Sequence, residues 1–415
     1  MKVDYDMTKV LLIYPSMIPS VKLCALEPLL FLQEQGEIIL KHYQSSHLKL
    51  EKCIWCDVAI YVRGDSEVDV AWAQFMKRNG KYVIYILDDD LINIAPNLTV
   101  TEYYQRKSVR SSIKELIYIS DCFLSPSPLL IQKYGHLSKR SAQIEEPCLI
   151  AGNPQLFKAE TPVKIGYAGS VDREADLNTL LDTVVKEILE LYGDRVRIEF
   201  LGARPECVEK YSLTHYPYTN SYEAYQRKMR ELNWDIGLAP LSDTPFNNCK
   251  HYNKFIEYAS FGIVGLYSDV QPYNRIIKSG VNGFLCVNEK SQWVKILSQM
   301  IDNPEKLLET RRRTYKQVTE NFSVAKIAQQ FTEAEPQVLN YHSPKNNYGR
   351  IRIRFRVSLL KVKMFTRKVY YFFKRNKLKS LLMLFQKIYA MLDKRIWALL
   401  TKYEEMRPER PLVEL

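Results

Sequence analysis

DIGLAPLSDTPFNNCKHYNKFIEYASFGIVGLYSDVQPY, residues 235–273, is the stretch whose reading decides the fold. Ile236 to Ala239 reads as a buried strand, followed by a polar loop and a helix that opens near His251 or Tyr252. Phe255, Ile256, Tyr258 and Ala259 give that helix its apolar face, and Gly262 is placed to cap its C-terminus. A second apolar run, Ile263 to Tyr267, returns to the sheet. A strand–helix–strand unit of this kind builds parallel sheets. Ligands of such sheets sit beyond the carboxyl ends of the strands, where loops feed helix N-termini. Lys250, His251 and Lys254 fall there, and Glu257 follows two turns in. Two lysines at a helix N-terminus suit a phosphate, and a carboxylate further along would accept hydrogen bonds from a sugar diol.

The same alternation continues on either side. Upstream, Val163 to Ala168 predicts a strand ending in a Gly169-Ser170 loop. Helix Leu177–Leu191, strand Val196–Leu201, a turn at 202–205 and helix Tyr222–Leu232 follow. Downstream, strand Phe284–Val287 precedes helices over Ser291–Ile301 and Val324–Leu339. The N-terminal half alternates too: strands at Val10–Tyr14, Ile54–Val62, Tyr82–Leu87 and Cys122–Leu124, helices at Leu26–Gln35, Val70–Lys77 and Ile113–Ile119. A chain of 415 residues exceeds one usual core. The expected organisation is an α/β protein of two Rossmann-like, doubly wound domains facing a cleft, residues 1–152 and 153–340, joined near Pro147–Pro154. A tail, 341–415, completes it.

The segments PLSDTPFN (240–247), Lys250, KFIEYASFG (254–262), SDVQPY (268–273), SGVNGFL (279–285) and IGYAGSVDREADL (165–177) resemble the donor-binding signature of GT-B glycosyltransferases. The likeness is to the family 4-like, "glycosyl transferases group 1" branch of bacterial surface-polysaccharide type. Several segments match in order, so the resemblance is far more specific than a lone glycine motif. It implies that Glu257 holds the ribose hydroxyls of a nucleotide sugar. Lys250 and Arg173 would meet the diphosphate, and Gly169 and Ser170 the loop beneath it. It also implies that the last helix of the second domain crosses back to the first, that no metal or other cofactor is needed, and that the anomeric configuration is retained. Family members usually carry another glutamate eight positions before the first. This chain has Cys249 there, which keeps a second reading open: a catalytically inactive GT-B paralogue acting as a membrane or partner-enzyme scaffold.

Other candidates carry two readings each. The Asp88-Asp89-Asp90 run at a strand end either orients acceptor hydroxyls, with Asp89 as a catalytic carboxylate, or caps a turn through its first member with the others solvated. Arg63 stands at the preceding strand end in the same position. Arg173 is either a phosphate contact or a solvated cation. His251 is either a bystander or a donor to phosphate oxygen. Asn247 and Asn253 are candidates for hydrogen bonds to the donor.

The eight cysteines are scattered, which favours a reducing compartment. Cys53 and Cys56 form the one close pair, read as half-buried thiols ahead of a strand or, less simply, as a redox motif. Six histidines form no metal-binding spacing. The N-terminal MKVDYDMTKV lacks the pattern of a signal peptide, so a cytoplasmic location is expected. Residues 345–415 hold 19 Lys and Arg against 5 Asp and Glu, leaving 40 basic and 42 acidic residues elsewhere, so the net charge of +12 belongs to the tail. From Arg350 basic and apolar residues interleave, and Leu381 to Leu400 places its apolar residues on one helical face. The longest apolar run there is five residues, too short to span a bilayer. Residues 350–402 are therefore expected to lie on an anionic membrane surface, at the inner face of the plasma membrane; the alternative is a helix packed on the domains or dimerising. The expected partners are a nucleotide sugar, a glycan or lipid-linked acceptor and that membrane, with no nucleic acid.

Overall fold

The computed structural model describes residues 7–96, 98–149, 161–344 and 349–375. Among them two six-stranded sheets form, with every strand pairing parallel. The first contains β1 (Thr8–Tyr14), β2 (Ile38–Gln44), β3 (Val58–Val62), β4 (Tyr82–Ile86), β5 (Cys122–Ser125) and β6 (Arg140–Gln143), in the order β2-β1-β3-β4-β5-β6. The second contains β7 (Val163–Gly169), β8 (Val196–Gly202), β9 (Thr214–Tyr216), β10 (Ile236–Ala239), β11 (Val264–Ser268) and β12 (Phe284–Cys286), in the order β12-β11-β10-β7-β8-β9. Val10 to Ile13 and the whole of β3 are fully buried, because helices cover both faces of the sheet.

Strand order reverses between β1 and β3 in one sheet and between β7 and β10 in the other. Loops that leave on opposite sides of such a point open a crevice between them. The loops after β1 and β7 both border the same cleft, so the two crevices meet. Helix Val324–Ala334 packs on helix Glu27–Glu34 of the first half, burying Ala328 and Phe331 beside Leu29 and Leu32. The expected crossing-back therefore occurs, although Pro336 splits the predicted Val324–Leu339 helix and a short turn, Gln337–Asn340, follows.

Several boundaries differ from expectation. Strand β3 starts at Val58 rather than Ile54, because Leu50 and Cys53 form the inner face of a short helix, Leu50–Trp55. Cys53 and Cys56 are fully buried rather than half-buried, and burial raises both thiols, Cys56 to about 12. That state is inert rather than redox-reactive. Strand β11 begins one residue later than predicted, since Gly262 (φ 70°) turns the chain before pairing resumes. Strands β2, β6 and β9 were not expected; β6 and β9 are short, polar edge strands that carry no alternation signal.

The tail begins with helix Arg350–Arg375, which lies along helix Glu67–Arg78 of the first half. Ile353, Val357 and Leu360 are buried in the same cluster as Trp72 and Phe75. Lys363 and Arg367 donate to the two oxygens of Glu67 at 3.0 and 2.8 Å. The packed-helix reading thus holds for one face of this segment. The predicted apolar face at Leu381–Leu400 lies outside the described residues, as do residues 150–154 of the Pro147–Pro154 connection.

Candidate functional site

The cleft between the sheets has a volume of about 500 Å³. Its floor on one side is the loop after β7, and the tightness of that loop has a clear cause. Gly202, at the end of β8, has φ 88°, and a Cβ there would come within 2.2 Å of the Gly169 carbonyl. That carbonyl accepts from Ala203 N at 2.9 Å. Gly169 and Ser170 line the cavity there, and a Cβ at Gly169 would meet the Tyr167 hydroxyl at 2.3 Å. Opposite them runs helix Asn253–Ser260, which opens at Asn253 rather than at His251 or Tyr252. Phe255, Ile256, Tyr258 and Ala259 bury its inner face, and the Tyr258 hydroxyl donates to the Leu238 carbonyl of β10 at 2.8 Å. This anchoring turns Asn253, Lys254 and Glu257 toward the cleft, where Lys254 donates to Glu257. The opposite wall comes from the first half: Ser20 and Lys22 line it, and Lys22 forms an ion pair with Glu223 across the opening.

A second group of predicted residues meets where the two halves touch. Lys250 Nζ donates to Asp89 Oδ1 at 2.9 Å and sits 4.6 Å from the centre of the Phe246 ring. Asp89 Oδ2 accepts from Arg63 Nη2 at 2.6 Å, and Arg63 also grips both oxygens of Asp88 and reaches Ser20 Oγ at 3.2 Å. Burial alone would raise the Asp89 pKa. Lys250 and Arg63, with a smaller effect from Arg173, outweigh it and hold the carboxyl far below its ordinary value. Arg63 adopts φ 53°, a conformation that costs a non-glycine residue about 1–2 kcal/mol. Its fork to Asp88 offsets that cost. Arg173 ends the turn Val171–Arg173 and donates to Asn247 Oδ1 at 3.2 Å; the Asn247 amide in turn donates to Ser242.

Three expectations change here. The first aspartate of the run is not the cap and the others are not solvated. Asp88 is locked to Arg63, while Asp90 accepts from Asn93 N at 3.1 Å, Lys133 at 2.9 Å and the Tyr134 hydroxyl at 2.7 Å. His251 has both ring nitrogens engaged by side chains. Its Nε2 meets Glu145 Oε2 at 2.9 Å and its Nδ1 meets Asn253 Oδ1 at 2.8 Å. Burial works against the imidazolium, but Glu145 and Glu146 raise the His251 pKa on balance. Cys249, where a glutamate was usual, is fully buried against the first half, with Lys133 Nζ 3.2 Å from its sulfur.

Sequence reading missed Lys22, Lys133 and Glu145. Lys22 and Glu145 pair with residues 201 and 106 positions away, and Lys133 reaches Asp90 and Cys249, 43 and 116 away, so no local pattern marks them. Cys24, Asp88 and Glu146 bring ligand-type atoms within 4.8 Å of one another. Both Asp88 oxygens already bind Arg63, the Cys24 thiol donates to Glu146 at 3.0 Å, and burial raises both Cys24 and Glu146. With Asp88 taken by a guanidinium and the Cys24 thiol already donating to Glu146, this cluster does not make a metal site.

Neither a protein-family profile nor a curated protein sequence matches the chain. Solved structures do. HepE from Anabaena, solved with UDP and glucose, is 14% identical with TM-score 0.54, over 79% of this chain and 98% of that one. Sucrose-phosphate synthase from Thermosynechococcus elongatus is 11% identical with TM-score 0.53, over 80% and 99%. The lipopolysaccharide outer core galactosyltransferase WaaB is 15% identical with TM-score 0.50, over 79% and 99%. At such identities the likeness is one of architecture, and the architecture is GT-B, two Rossmann-like sheets with their switch points turned to a common cleft.

Proposed function

We propose that the chain is a glycosyltransferase that moves a sugar from a nucleotide diphosphate to a glycan or lipid-linked acceptor. The observation that carries this reading is the cleft itself: the tight Gly169-Ser170 loop lines it together with a helix presenting Lys254 and Glu257. Glu257 would exchange Lys254 for the ribose hydroxyls, and Asn253 would add a hydrogen bond to the donor. Lys250 and Arg173 would take the diphosphate, with Asn247 holding Arg173 in place. Lys250 now has Asp89 as its counter-ion; phosphate oxygens would replace that carboxylate. Asp89, still gripped by Arg63, would then be left facing the acceptor hydroxyl as a base or orienting group. Negative charge grows on the leaving diphosphate as the glycosidic bond breaks, and fixed cations stabilise it more in the transition state than in the ground state. The reading assigns this work to side chains and needs no metal. His251 becomes a positioning residue, tying the start of the donor helix to Glu145.

HepE, solved with UDP-glucose, makes uridine donors the first to test. We place the protein on the cytoplasmic side of the membrane, associated peripherally through the basic tail, which suits a lipid-linked acceptor. One observation favours the inactive-scaffold reading: Cys249 packs into the interface between the halves and presents no group to a sugar. Thermal-shift screening of nucleotides, followed by turnover with the stabilising nucleotide's sugars, tests the proposal. A nucleotide that stabilises, with slow donor hydrolysis, supports the enzyme; tight binding without turnover for any sugar supports the scaffold.

A further inference from the structure

Helix Arg350–Arg375 has two apolar faces, and among the described residues only one of them packs against the protein. Ile353, Val357 and Leu360 form the inner face against helix Glu67–Arg78. Ile351, Phe355, Val362 and Phe365 point away, 85, 52, 46 and 67% exposed. Their spacing of four, seven and three residues keeps them on one line along a helix. Large aromatic and branched side chains in a row rarely stay in water on a stable protein surface. Exposed Arg352, Lys361 and Lys368 accompany the line, and the helix holds ten basic residues and no acidic one.

We propose that this outward line is the membrane-contacting surface, inserting into the headgroup region of an anionic bilayer, while the inward line fixes the helix to the protein. This deepens the membrane-associated transferase reading and rests on it for the identity of the acceptor alone. The charge selects the occupant. A second copy of the helix would bring ten like charges against ten, whereas an anionic leaflet neutralises them and the apolar row enters between headgroups. The helix is about 39 Å long at 1.5 Å per residue, enough to lie flat over many lipids, and none of the described helices is long and apolar enough to cross a membrane. Because Glu67 holds Lys363 and Arg367, the bilayer is brought to the half of the molecule that carries Asp89, the half assigned to the acceptor.

The test uses the full chain and vesicles of phosphatidylcholine with or without phosphatidylglycerol. Wild type should sediment with the anionic vesicles and much less with the neutral ones. The variant I351S/F355S/V362S/F365S should partition at least about tenfold more weakly, with wild-type melting temperature and nucleotide titration. R352Q/K361Q/K368Q should lose binding chiefly at low salt. Equal partition of wild type and the serine variant overturns the assignment. So does a dimer in sedimentation velocity that the serine variant converts to monomer, which would make the line a self-association face. Nucleotide titration is read in parallel: vesicle binding without nucleotide binding leaves this surface standing and removes the transferase reading instead.

Discussion

The two sheets are built alike and end in opposite chemistry. At the carboxyl ends of the first stand Asp65, Asp88, Asp89 and Asp90, and at those of the second stand Gly169, Gly202, Arg173 and Lys250. Parallel sheets with the same reversal of strand order thus supply a carboxylate wall and a cationic, backbone-lined wall. The Lys250–Asp89 bond is where the walls meet. On the proposed function the difference is a division of labour: the second half would take an anion, and the first holds a carboxylate ionised beside it.

Breaking the cationic wall should have the largest effect. Lys250→Ala removes a charge that on the proposed function acts on the leaving diphosphate, so turnover should fall by about two to three orders of magnitude, roughly 3–4 kcal/mol of barrier. Steady-state kinetics measure it, with circular dichroism as the control for folding. On the carboxylate wall, Asp89→Asn should lower turnover by about 10²-fold, the scale of lost general-base help. It should tighten nucleotide binding, since Lys250 loses its competing counter-ion; weaker binding would show that Asp89 supports the donor instead. Outside both walls, Leu360→Ala should destabilise the protein by about 2–4 kcal/mol through the cavity it leaves, read by chemical denaturation, without changing nucleotide affinity.

The smallest effect on function sharpens the comparison most. Asp65, buried, and Asp89, half-buried, both stand just past strand ends of one sheet, and their carboxyls move in opposite directions. Burial and the neighbouring Asp69 raise Asp65 from 3.8 to about 7, whereas Lys250 and Arg63 overcome burial at Asp89. Folded Asp65 therefore keeps its proton up to about pH 7 while the unfolded chain loses it above 3.8, so its contribution makes stability fall as pH rises between those values. Asp89 has the reverse sign: its contribution is present above its unfolded pKa and disappears in acid as pH falls through its depressed folded value. Asp65→Asn should flatten the pH 4–7 decline in melting temperature and leave turnover unchanged.

The proposed donor side was legible because its signals are local. Apolar runs around Ile236 and Val264, a glycine at 262 and a helix with Phe255 and Tyr258 on one face fix the unit to within about two residues. Lys254 and Glu257 fall on its other face by the same periodicity. The acidic wall was legible only as residue types. Which aspartate caps, which is locked and which bridges depends on Arg63, Lys133 and Lys250, 25, 43 and 161 positions away. Short edge strands such as Arg140–Gln143 were invisible because exposed polar residues pair through backbone alone. The tail showed its amphipathic character in sequence, but not that one apolar face is already used.

The most direct test is a crystal structure with a bound nucleoside diphosphate. The account predicts its phosphates within hydrogen-bond distance of Lys250 Nζ, with Asp89 displaced from that lysine and the ribose hydroxyls on Glu257. A nucleotide bound elsewhere, with the Lys250–Asp89 pair intact, would contradict it.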